Sequence, residues 1–401
     1  MKTLKYILFL TVCVVAAGGF ILASAPEPAK PGVPIEYEAR QDEARMYESQ
    51  GAETASPNVA RASAQKDTPV AARNPAPVQT ASQAPIMPRR AVQSIPPVQK
   101  CMNLGGAMEA PREGDWGYTI RQKDLVTIKQ TGFDTIRLPV KWSAHTQTTA
   151  PYKIDAAILA RTDQIIGRAL QQNLKVILDV HHYTELMENP PAHIPRLTAI
   201  WEQLGAHYAG YSDALMFELI NEPHDKLTIT ETNRLNAHLL QTVRRTNPNR
   251  WVVLGSGNWN SLEGMTPGRP ESFVPPRDPR IITTFHYYDD FNFTHQGAEF
   301  YTPFIPMGQT FGSRAQKQAI TNDMAIARDF GLRTGTPVLL GEFGVFDKVP
   351  DSQRAAWTRH VREQAEANNM GWCYWEWATS FKMYDTGKEQ FVPGLKDALF
   401  R

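Results

Sequence analysis

Two glutamates of the sequence could carry acid/base and nucleophilic chemistry. Glu222 follows the apolar stretch LMFELIN, and Glu342 follows VLLG. Two facing carboxyl groups suit hydrolysis of a glycosidic bond, because one can protonate the departing oxygen while the other attacks the anomeric carbon. A separation of about 5 to 5.5 Å would predict retention, and roughly 6.5 to 9.5 Å would predict inversion by an activated water. A glutamate at a strand end can also merely cap a helix or pair with a lysine.

Other polar and aromatic side chains follow apolar runs in the same way, which favours the chemical interpretation over the capping one. Adjacent histidines can also be metal ligands, but neither a carboxylate triad nor an H-E-x-x-H spacing accompanies them, which argues against a metal site. The residues in question are Arg137 in TIRLPV, His181 and His182 in ILDVHHY, Asn221 beside Glu222, His286 and Tyr288 in TTFHYY, and Trp375 in CYWEW.

Short apolar runs that alternate with helical patterns are expected to position these side chains. Apolar residues recur every three or four positions in residues 158–172 and 230–245, as in amphipathic helices. Buried strands that alternate with crossover helices predict a parallel sheet, and eight such units in about 300 residues predict an α/β fold of the (β/α)8 TIM-barrel type. The predicted strands are residues 102–105, 135–138, 175–180, 215–220, 251–254, 281–285, 338–340 and 371–375.

An open doubly wound sheet is the rival architecture. No G-x-G-x-x-G follows the first predicted strand, and chemistry-capable residues follow nearly every strand rather than one switch point. In a closed barrel, Glu222 at the end of the fourth strand and Glu342 at the end of the seventh lie on opposite sides of the mouth. Their side chains are therefore expected to face each other at the C-terminal end, where the active sites of such barrels form.

The N-terminal segment has the composition of an export signal. Lys2 and Lys5 precede an uncharged run over residues 6–23, which leads into Ala23-Ser24-Ala25. A run of about 18 residues fits both a long signal-peptide core and a short membrane span. Residues 1–25 are therefore expected to be a signal peptide or a signal anchor, and the protein is expected to be secreted, periplasmic or tethered to the membrane.

The rest of the chain divides into a linker and a catalytic part. Residues 26–97 are rich in Pro, Ala, Gln and Ser, with too few large apolar side chains to offset the entropy of ordering, so a disordered linker is expected. Residues 98–401 are expected to form the catalytic barrel. Cys101 and Cys373 could pair there if the first and last strands are neighbours, and buried free thiols are the alternative.

The overall charge argues against a polyanionic partner. The 401 residues carry a formal net charge of +1. Such a charge gives no field strong enough to attract nucleic acid by itself, so no nucleic-acid partner is expected and a neutral partner fits better.

Seven motifs in the same order resemble glycoside hydrolase family 5, the cellulase family. The resemblance implies a retaining, endo-acting β-1,4-glycanase without a cofactor, most simply an endo-β-1,4-glucanase that cuts cellulose-like chains. FTHQGAEF and KMYDTGKEQF are similar to a bacterial branch of endoglucanases, some of which also accept mannan. A β-mannanase or mixed-linkage glucanase with the same pair is the alternative, and a non-hydrolytic glycan-binding barrel is a remote one. The motifs are NLGGAMEAP, RLPVKWS, DVHHY, ELINEPH, FHYY, GEFG and YWEW.

The resemblance also implies a role for each residue of the catalytic group. Glu222 corresponds to the acid/base and Glu342 to the nucleophile. Asn221 is expected to bind the hydroxyl group at C2 of the attacked sugar. Arg137 and Tyr288 are expected beside Glu342, as a cation and a hydrogen-bond donor that favour the ionised carboxyl.

The predicted substrate-binding residues form a second group. Trp375 matches the aromatic floor under the attacked sugar. Trp142, Trp259 and Trp377 also follow strand ends and are open between a sugar subsite and the core. Gly106 stands where the branch often has an asparagine, and Phe300 stands where an indole is common, so substrate preference is left open. The complete set is Glu109, His181, His182, Trp259, His286, His295 and Trp375.

Overall fold

Eight parallel strands close into a barrel in a computed structural model of the chain, which describes residues 97–401. Each strand pairs with the next along the chain, and the last pairs with the first. The predicted (β/α)8 TIM barrel is confirmed. The strands are β1 (Lys100–Asn103), β2 (Thr135–Leu138), β3 (Lys175–Asp179), β4 (Leu215–Glu218), β5 (Val252–Leu254), β6 (Ile281–His286), β7 (Val338–Phe343) and β8 (Gly371–Tyr374).

All eight predicted strands are present, with bounds shifted by up to three residues. β1 starts two residues earlier than predicted, at Lys100, and β7 continues across Gly341 to Phe343. β4 ends at Glu218, so the prediction that Glu222 ends this strand is wrong and Glu222 lies in the following loop. The end of β7 was missed because strand pairing continues through Gly341 and Glu342, where the apolar run is interrupted. The end of β4 was missed because the apolar run continues through Leu219 and Ile220, beyond the last paired residue.

Helices follow most of the strands and cover the outside of the barrel. The predicted helices at 158–172 and 230–245 are confirmed within two residues. A short hairpin of β9 (Tyr384–Asp385) and β10 (Gln390–Phe391) follows β8. The helices are α1 (Gln122–Thr131), α2 (Ala156–Gln171), α3 (Thr184–Glu188), α4 (Pro190–His207), α5 (Ile229–Arg244), α6 (Phe291–Thr294), α7 (Arg314–Thr334), α8 (Asp351–Ala367) and α9 (Leu395–Phe400).

Local sequence explains where several helices begin and end. The Asp155 side chain accepts a hydrogen bond from the Ala157 N–H at the start of α2. At the start of α7, Ser313 and Gln316 form a reciprocal capping box, and Gly335 ends the helix in the left-handed conformation. These contacts satisfy backbone groups that a helix terminus would otherwise leave without partners.

An apolar layer fills the barrel interior near the amino ends of the strands. We call this layer the amino-end plug. Two residues further along the strands, polar Asn103, Asp179 and Glu218 stand on the same faces as the plug's members, because side chains on one face of a strand recur every second residue. The plug consists of Val98, Cys101, Ile177, Met216, Val253, Ile282, Leu339 and Cys373, all buried.

A disulfide lies within this plug. Cys101 and Cys373 are paired directly across β1 and β8, and their sulfurs are bonded. The bond joins positions 272 residues apart in the sequence, so it links the first and last strands of the barrel. Of the two alternatives left open by the sequence, the structure has the disulfide.

The predicted export signal at residues 1–25, including the span at 6–23, lies outside the described residues, as does the predicted linker at 26–97 except for Pro97. Both stay predictions. Over residues 97–401, none of the helices combines the length and hydropathy needed to cross a membrane.

Candidate active site

Glu222 and Glu342 approach each other at the carboxyl ends of the strands, with His286 between them. A β-bulge at Phe285/His286 shifts the β6–β7 register so that His286 pairs with Glu342. One side-chain nitrogen or oxygen atom from each of the three residues lies within 4.8 Å of the corresponding atoms of the other two. His286 Nδ1 is 2.5 Å from Glu222 Oε1 and 3.6 Å from Glu342 Oε2. Barrel closure thus brings two carboxyl groups from opposite sides of the sheet into one site.

The two glutamates have different surroundings. Glu342 Oε1 accepts a hydrogen bond of 2.6 Å from Arg137 Nη1, and its Oε2 accepts one of 2.9 Å from the Tyr288 hydroxyl. Glu222 has a left-handed backbone, with φ of 43°, and its carboxyl contacts the His286 ring. A guanidinium and a phenol both stabilise a negative charge, so Glu342 lies in the setting that favours a carboxylate.

Arg137 is fully buried and organises a cluster of carboxyl groups beneath the mouth. Its Nε and Nη2 donate to the two oxygens of Glu218 at 2.7 and 2.9 Å, and Nη2 is 2.9 Å from Asp179 Oδ2. Burial alone would lower the pKa of Arg137, but the charges of Asp179, Glu218 and Glu342 outweigh it and raise that pKa. One guanidinium therefore serves three carboxyl groups.

The pKa values of two of these carboxyl groups are raised. Burial raises the pKa of Asp179 to about 7, although Arg137 opposes the rise. Burial also raises the pKa of Glu218, again against Arg137. The cluster can therefore hold a proton near neutral pH. Sequence reasoning missed both acids, and their only signal was a carboxyl group inside an otherwise apolar strand.

Asn221 and His181 connect the cluster to the mouth of the barrel. The Asn221 Oδ1 accepts a 2.7 Å hydrogen bond from Arg137 Nη2, and its Nδ2 lies 3.3 Å from His181 Nε2. The His181 ring is stacked on Trp375, with centroids 5.8 Å apart and planes 5° apart. Burial lowers the pKa of His181 well below its usual value, and the charge of Arg137 lowers it further, so the ring is neutral.

A cleft with two lobes opens beside this centre. We call the lobe beside Trp375 the first lobe and the lobe beside Trp259 the second lobe, and His182 lines both. The first lobe is also lined by Gly106, Glu109, Trp116, Phe300, Glu376, Thr379, Ser380 and Phe381. The second lobe is also lined by Tyr183, Thr184, Met187, Asn221, Glu222 and His224.

Glu109 and Gly106 both line the first lobe. Burial raises the pKa of Glu109 to about 8, the charge of Glu376 adds to the rise, and the Gly106 and Ala107 N–H groups oppose it. Gly106 has φ of 77°, and a Cβ there would overlap the Thr379 side chain. Thr379 thus occupies the space that a larger side chain at position 106 would need, which explains the glycine in the NLGGAMEAP motif.

The second lobe has an aromatic wall. The rings of Trp259 and His224 stack with centroids 4.8 Å apart and planes 7° apart, and His224 Nδ1 is 2.6 Å from the Glu222 carbonyl oxygen. The Trp259 indole Nε1 has no hydrogen-bond partner among residues 97–401.

A family model described as Cellulase (glycosyl hydrolase family 5) matches residues 99–380. The chain belongs to this family. Endoglucanase H from Acetivibrio thermocellus is 31% identical over 274 residues, which are 68% of this chain and 29% of the relative. The chain therefore spans less than a third of the length of that curated relative.

Solved structures of family 5 enzymes align over most of the described residues. The structure of Thermotoga maritima Cel5A in complex with cellobiose has a TM-score of 0.73 and 33% identity, and covers 76% of this chain and 97% of its own. The same protein in complex with mannotriose has a TM-score of 0.72 and 32% identity, with the same coverage of both chains.

Not all predicted site residues of this family 5 chain reach the cleft. His295 is buried beside Tyr288, stacked on Phe291 with centroids 3.8 Å apart, and, like His181 and His286, it does not line either lobe. Trp142 and Trp377 are fully buried and belong to the core. Of the three tryptophans left open between subsite and core, only Trp259 lines a lobe.

Several cleft residues were missed by the sequence reasoning. Trp116 lies in the loop after β1 and contacts His182 edge-on, with centroids 5.8 Å apart. His224 follows directly on the NEP motif, which was its signal, whereas Trp116 and Thr379 belong to loops without a strand pattern.

Glu222, His286 and Glu342 form the one group of the described residues whose donor atoms are close enough together for a metal ion. Both oxygens of Glu342 already accept hydrogen bonds from Arg137 and Tyr288, and these donors would compete with a cation. His286 Nδ1 lies within hydrogen-bond distance of Glu222 Oε1, at 2.5 Å, whereas Glu342 Oε2, at 3.6 Å, is beyond that distance.

Proposed function

We propose that this family 5 chain is a retaining, endo-acting β-1,4-glucanase that hydrolyses cellulose-like β-glucan. The observation that carries the proposal is the approach of the two glutamates: a carboxyl oxygen of Glu222 lies within 4.8 Å of a carboxyl oxygen of Glu342. Retaining glycosidases hold their two carboxyl groups about 5 to 5.5 Å apart, whereas inverting ones leave room for a water at roughly 6.5 to 9.5 Å. The short separation supports a double displacement.

The different surroundings of the glutamates support a division of roles. Glu342, stabilised as a carboxylate by Arg137 and Tyr288, attacks the anomeric carbon and forms a covalent glycosyl-enzyme. Glu222 protonates the departing oxygen and then removes a proton from the water that releases the sugar. His286, at 2.5 Å from Glu222, holds that carboxyl in place.

The two-lobed cleft supports cleavage within a chain. Sugars on both sides of the broken bond need binding surfaces on both sides of the glutamates, and the first and second lobes provide them. Stacking on Trp375 in the first lobe and Trp259 in the second suits the apolar faces of pyranose rings. We assign substrate binding to Glu109, His181, His182 and His286 as well, and a supporting contact with Tyr288 to the buried His295.

The similarity to Thermotoga maritima Cel5A in complex with cellobiose supports a β-glucan as substrate. The complex of that protein with mannotriose supports β-mannan as a second candidate. The two substrates differ at C2, where the hydroxyl is equatorial in glucose and axial in mannose, so the group that binds this hydroxyl decides between them.

Product stereochemistry tests the mechanism, and a substrate panel tests the specificity. We expect NMR of the first product from an aryl β-cellobioside to show the β-anomer before mutarotation, and an initial α-anomer would reject the double displacement. Reducing-sugar release is then compared on carboxymethyl-cellulose, barley glucan, glucomannan, mannan and xylan. Activity on mannan without activity on the glucans would overturn the glucanase assignment, and binding without hydrolysis on every polymer would favour a non-hydrolytic glycan-binding barrel.

The location of the protein is a separate part of the proposal. Lys2 and Lys5 followed by the uncharged run over residues 6–23 support export. We infer secretion or release into the periplasm after cleavage at Ala25, with retention of the run as a membrane tether as the alternative. Mass measurement of the exported protein distinguishes a mature start at Pro26 from a retained leader.

A further inference from the structure

Asp179 is a buried acid that neither the proposed acid/base nor the proposed nucleophile contacts directly. It ends β3, and its side chain is fully buried. Its Oδ2 lies 3.2 Å from His181 Nδ1 and 2.9 Å from Arg137 Nη2. The opposite ring nitrogen of the same histidine, Nε2, lies 3.3 Å from Asn221 Nδ2. A chain of contacts therefore runs from Asp179 through His181 to Asn221.

The hydrogen-bond donors and acceptors along this chain have one consistent arrangement. Arg137 can only donate, so the Asn221 atom that it contacts at 2.7 Å is the amide oxygen. The other Asn221 atom is then the NH2 group, which donates to His181 Nε2. Since that nitrogen accepts, the proton of the neutral imidazole is on Nδ1 and points at Asp179. A doubly protonated His181 would place two donors against each other.

We propose that Asp179 is a positioning residue that acts through His181 to aim the Asn221 amide at the C2 hydroxyl of the attacked sugar. The inference rests on the proposed function, in which Asn221 binds that hydroxyl. One N–H of the Asn221 amide is held by His181, which leaves the second N–H for the substrate. Without Asp179 the other tautomer of His181 becomes accessible, and its Nε2–H would repel the Asn221 amide.

Glu218 provides a matched comparison. Like Asp179 it is buried, ends a strand and contacts Arg137. Both of its oxygens accept from Arg137, at 2.7 and 2.9 Å. Among the described contacts of Glu218, none reaches His181, so the two acids share their effect on Arg137 and differ in their effect on the histidine.

The test compares Asp179→Leu with Glu218→Met on two substrates, so that each variant removes the hydrogen-bond acceptors of one acid and keeps its approximate size. One is an aryl β-cellobioside, and the other is its analogue without the C2 hydroxyl on the sugar next to the aryl group. We expect Asp179→Leu, which removes the acceptor for His181 Nδ1–H, to lower kcat/KM on the full substrate by about 10- to 100-fold, as loss of the hydrogen-bond partner of a metal-bound histidine does in metalloenzymes. Its effect on the deoxy substrate should be several-fold smaller.

Glu218→Met is expected to lower kcat/KM on the two substrates by factors much closer to each other, because it acts through Arg137, which contacts Glu342 as well as Asn221, and leaves the contacts of His181 in place. If Asp179→Leu lowers kcat/KM on both substrates by the same factor, Asp179 is merely structural and the inference is overturned. Wild-type protein that hydrolyses neither substrate would instead reject the proposed function, on which the inference rests.

A second measurement needs no variant. In wild-type protein, the 15N chemical shifts of the His181 imidazole should show a protonated Nδ1 and an unprotonated Nε2 at neutral pH. The opposite tautomer would overturn the inference even if Asp179→Leu failed to fold.

Discussion

The two ends of the barrel interior differ in how they fill the same cylinder. At the carboxyl ends of the strands, Arg137 gathers Asp179, Glu218 and Glu342 around one buried guanidinium. At the amino ends, the amino-end plug contains only apolar residues and a disulfide. Buried charges destabilise the folded state unless they are well paired, whereas apolar packing stabilises it. Chemistry and stability are therefore expected to lie in separate layers of the interior.

The layers share strands, which makes this separation testable. Cys101 and Asn103 belong to β1, Ile177 and Asp179 to β3, and Met216 and Glu218 to β4. Two residues further along each of these strands, a polar or charged side chain follows the apolar side chain of the plug, because every second side chain points to the same face. A substitution in the plug should leave kcat nearly unchanged, and removal of a catalytic carboxyl group should change stability at a fixed pH only slightly.

The largest expected effect is on activity at the carboxyl end. Glu342→Ala removes the proposed nucleophile and should lower kcat by about 10⁴-fold or more, as removal of a nucleophile does in other enzymes. Azide should partly restore turnover and give an inverted product, since it can enter the space left by the carboxyl group. Thermal unfolding is the control, and the midpoint should fall by no more than a few degrees. Near-wild-type rates would show that another group attacks.

The next effect is on stability at the amino end. Replacing both cysteines, as Cys101→Ala with Cys373→Ala, should lower the free energy of unfolding by about 2 to 5 kcal/mol, because the unfolded chain regains the freedom of a long closed loop. Urea unfolding measures the change, and kcat per folded molecule should stay within about twofold. A reductant should lower the stability of the wild type and leave the double variant unaffected. A loss of kcat without a loss of stability would contradict the separation of layers.

A smaller effect concerns the pH dependence of stability. Because the pKa of Glu109 is raised to about 8 in the folded protein, the folded state keeps a proton that the unfolded chain releases near its ordinary value of 4.5. Stability from this group is therefore complete below that ordinary value and is lost as the pH rises towards about 8. Asp179, with a pKa raised to about 7, adds to the loss over a lower range.

Above pH 6.5, the effect of these buried acids on stability is separated from that of the buried histidines. The pKa values of His181 and His286 are lowered by burial, so their effect appears only below about 6.5, where unfolded histidines take up protons. Between about pH 6.5 and 8, the free energy of unfolding should fall by on the order of 1 kcal/mol per pH unit. Glu109→Gln should flatten this slope in urea unfolding at several pH values. An unchanged slope would show that Glu109 is ionised throughout.

The comparison of the two ends also shows which residues hydropathy can find. Met216 and Leu339 were within predicted strands because they are apolar, and both belong to the plug. Asp179 and Glu218 lie in the same runs, yet nothing local distinguishes them from solvent-facing acids. Their importance follows from Arg137, which is on another strand and becomes their neighbour only when the sheet forms.

The sequence by itself determined the parts of this protein that depend on local pattern: eight apolar runs, the helices between them, and the motifs that place Glu222 and Glu342 in a known family. Only the tertiary structure decided which distant residues touch. Barrel closure brings β1 beside β8, so Cys101 meets Cys373, and it brings Trp116, Thr379 and Glu109 to one lobe while His295 is left beside Tyr288. Such contacts depend on register and burial across the whole sheet, which no short stretch of sequence contains.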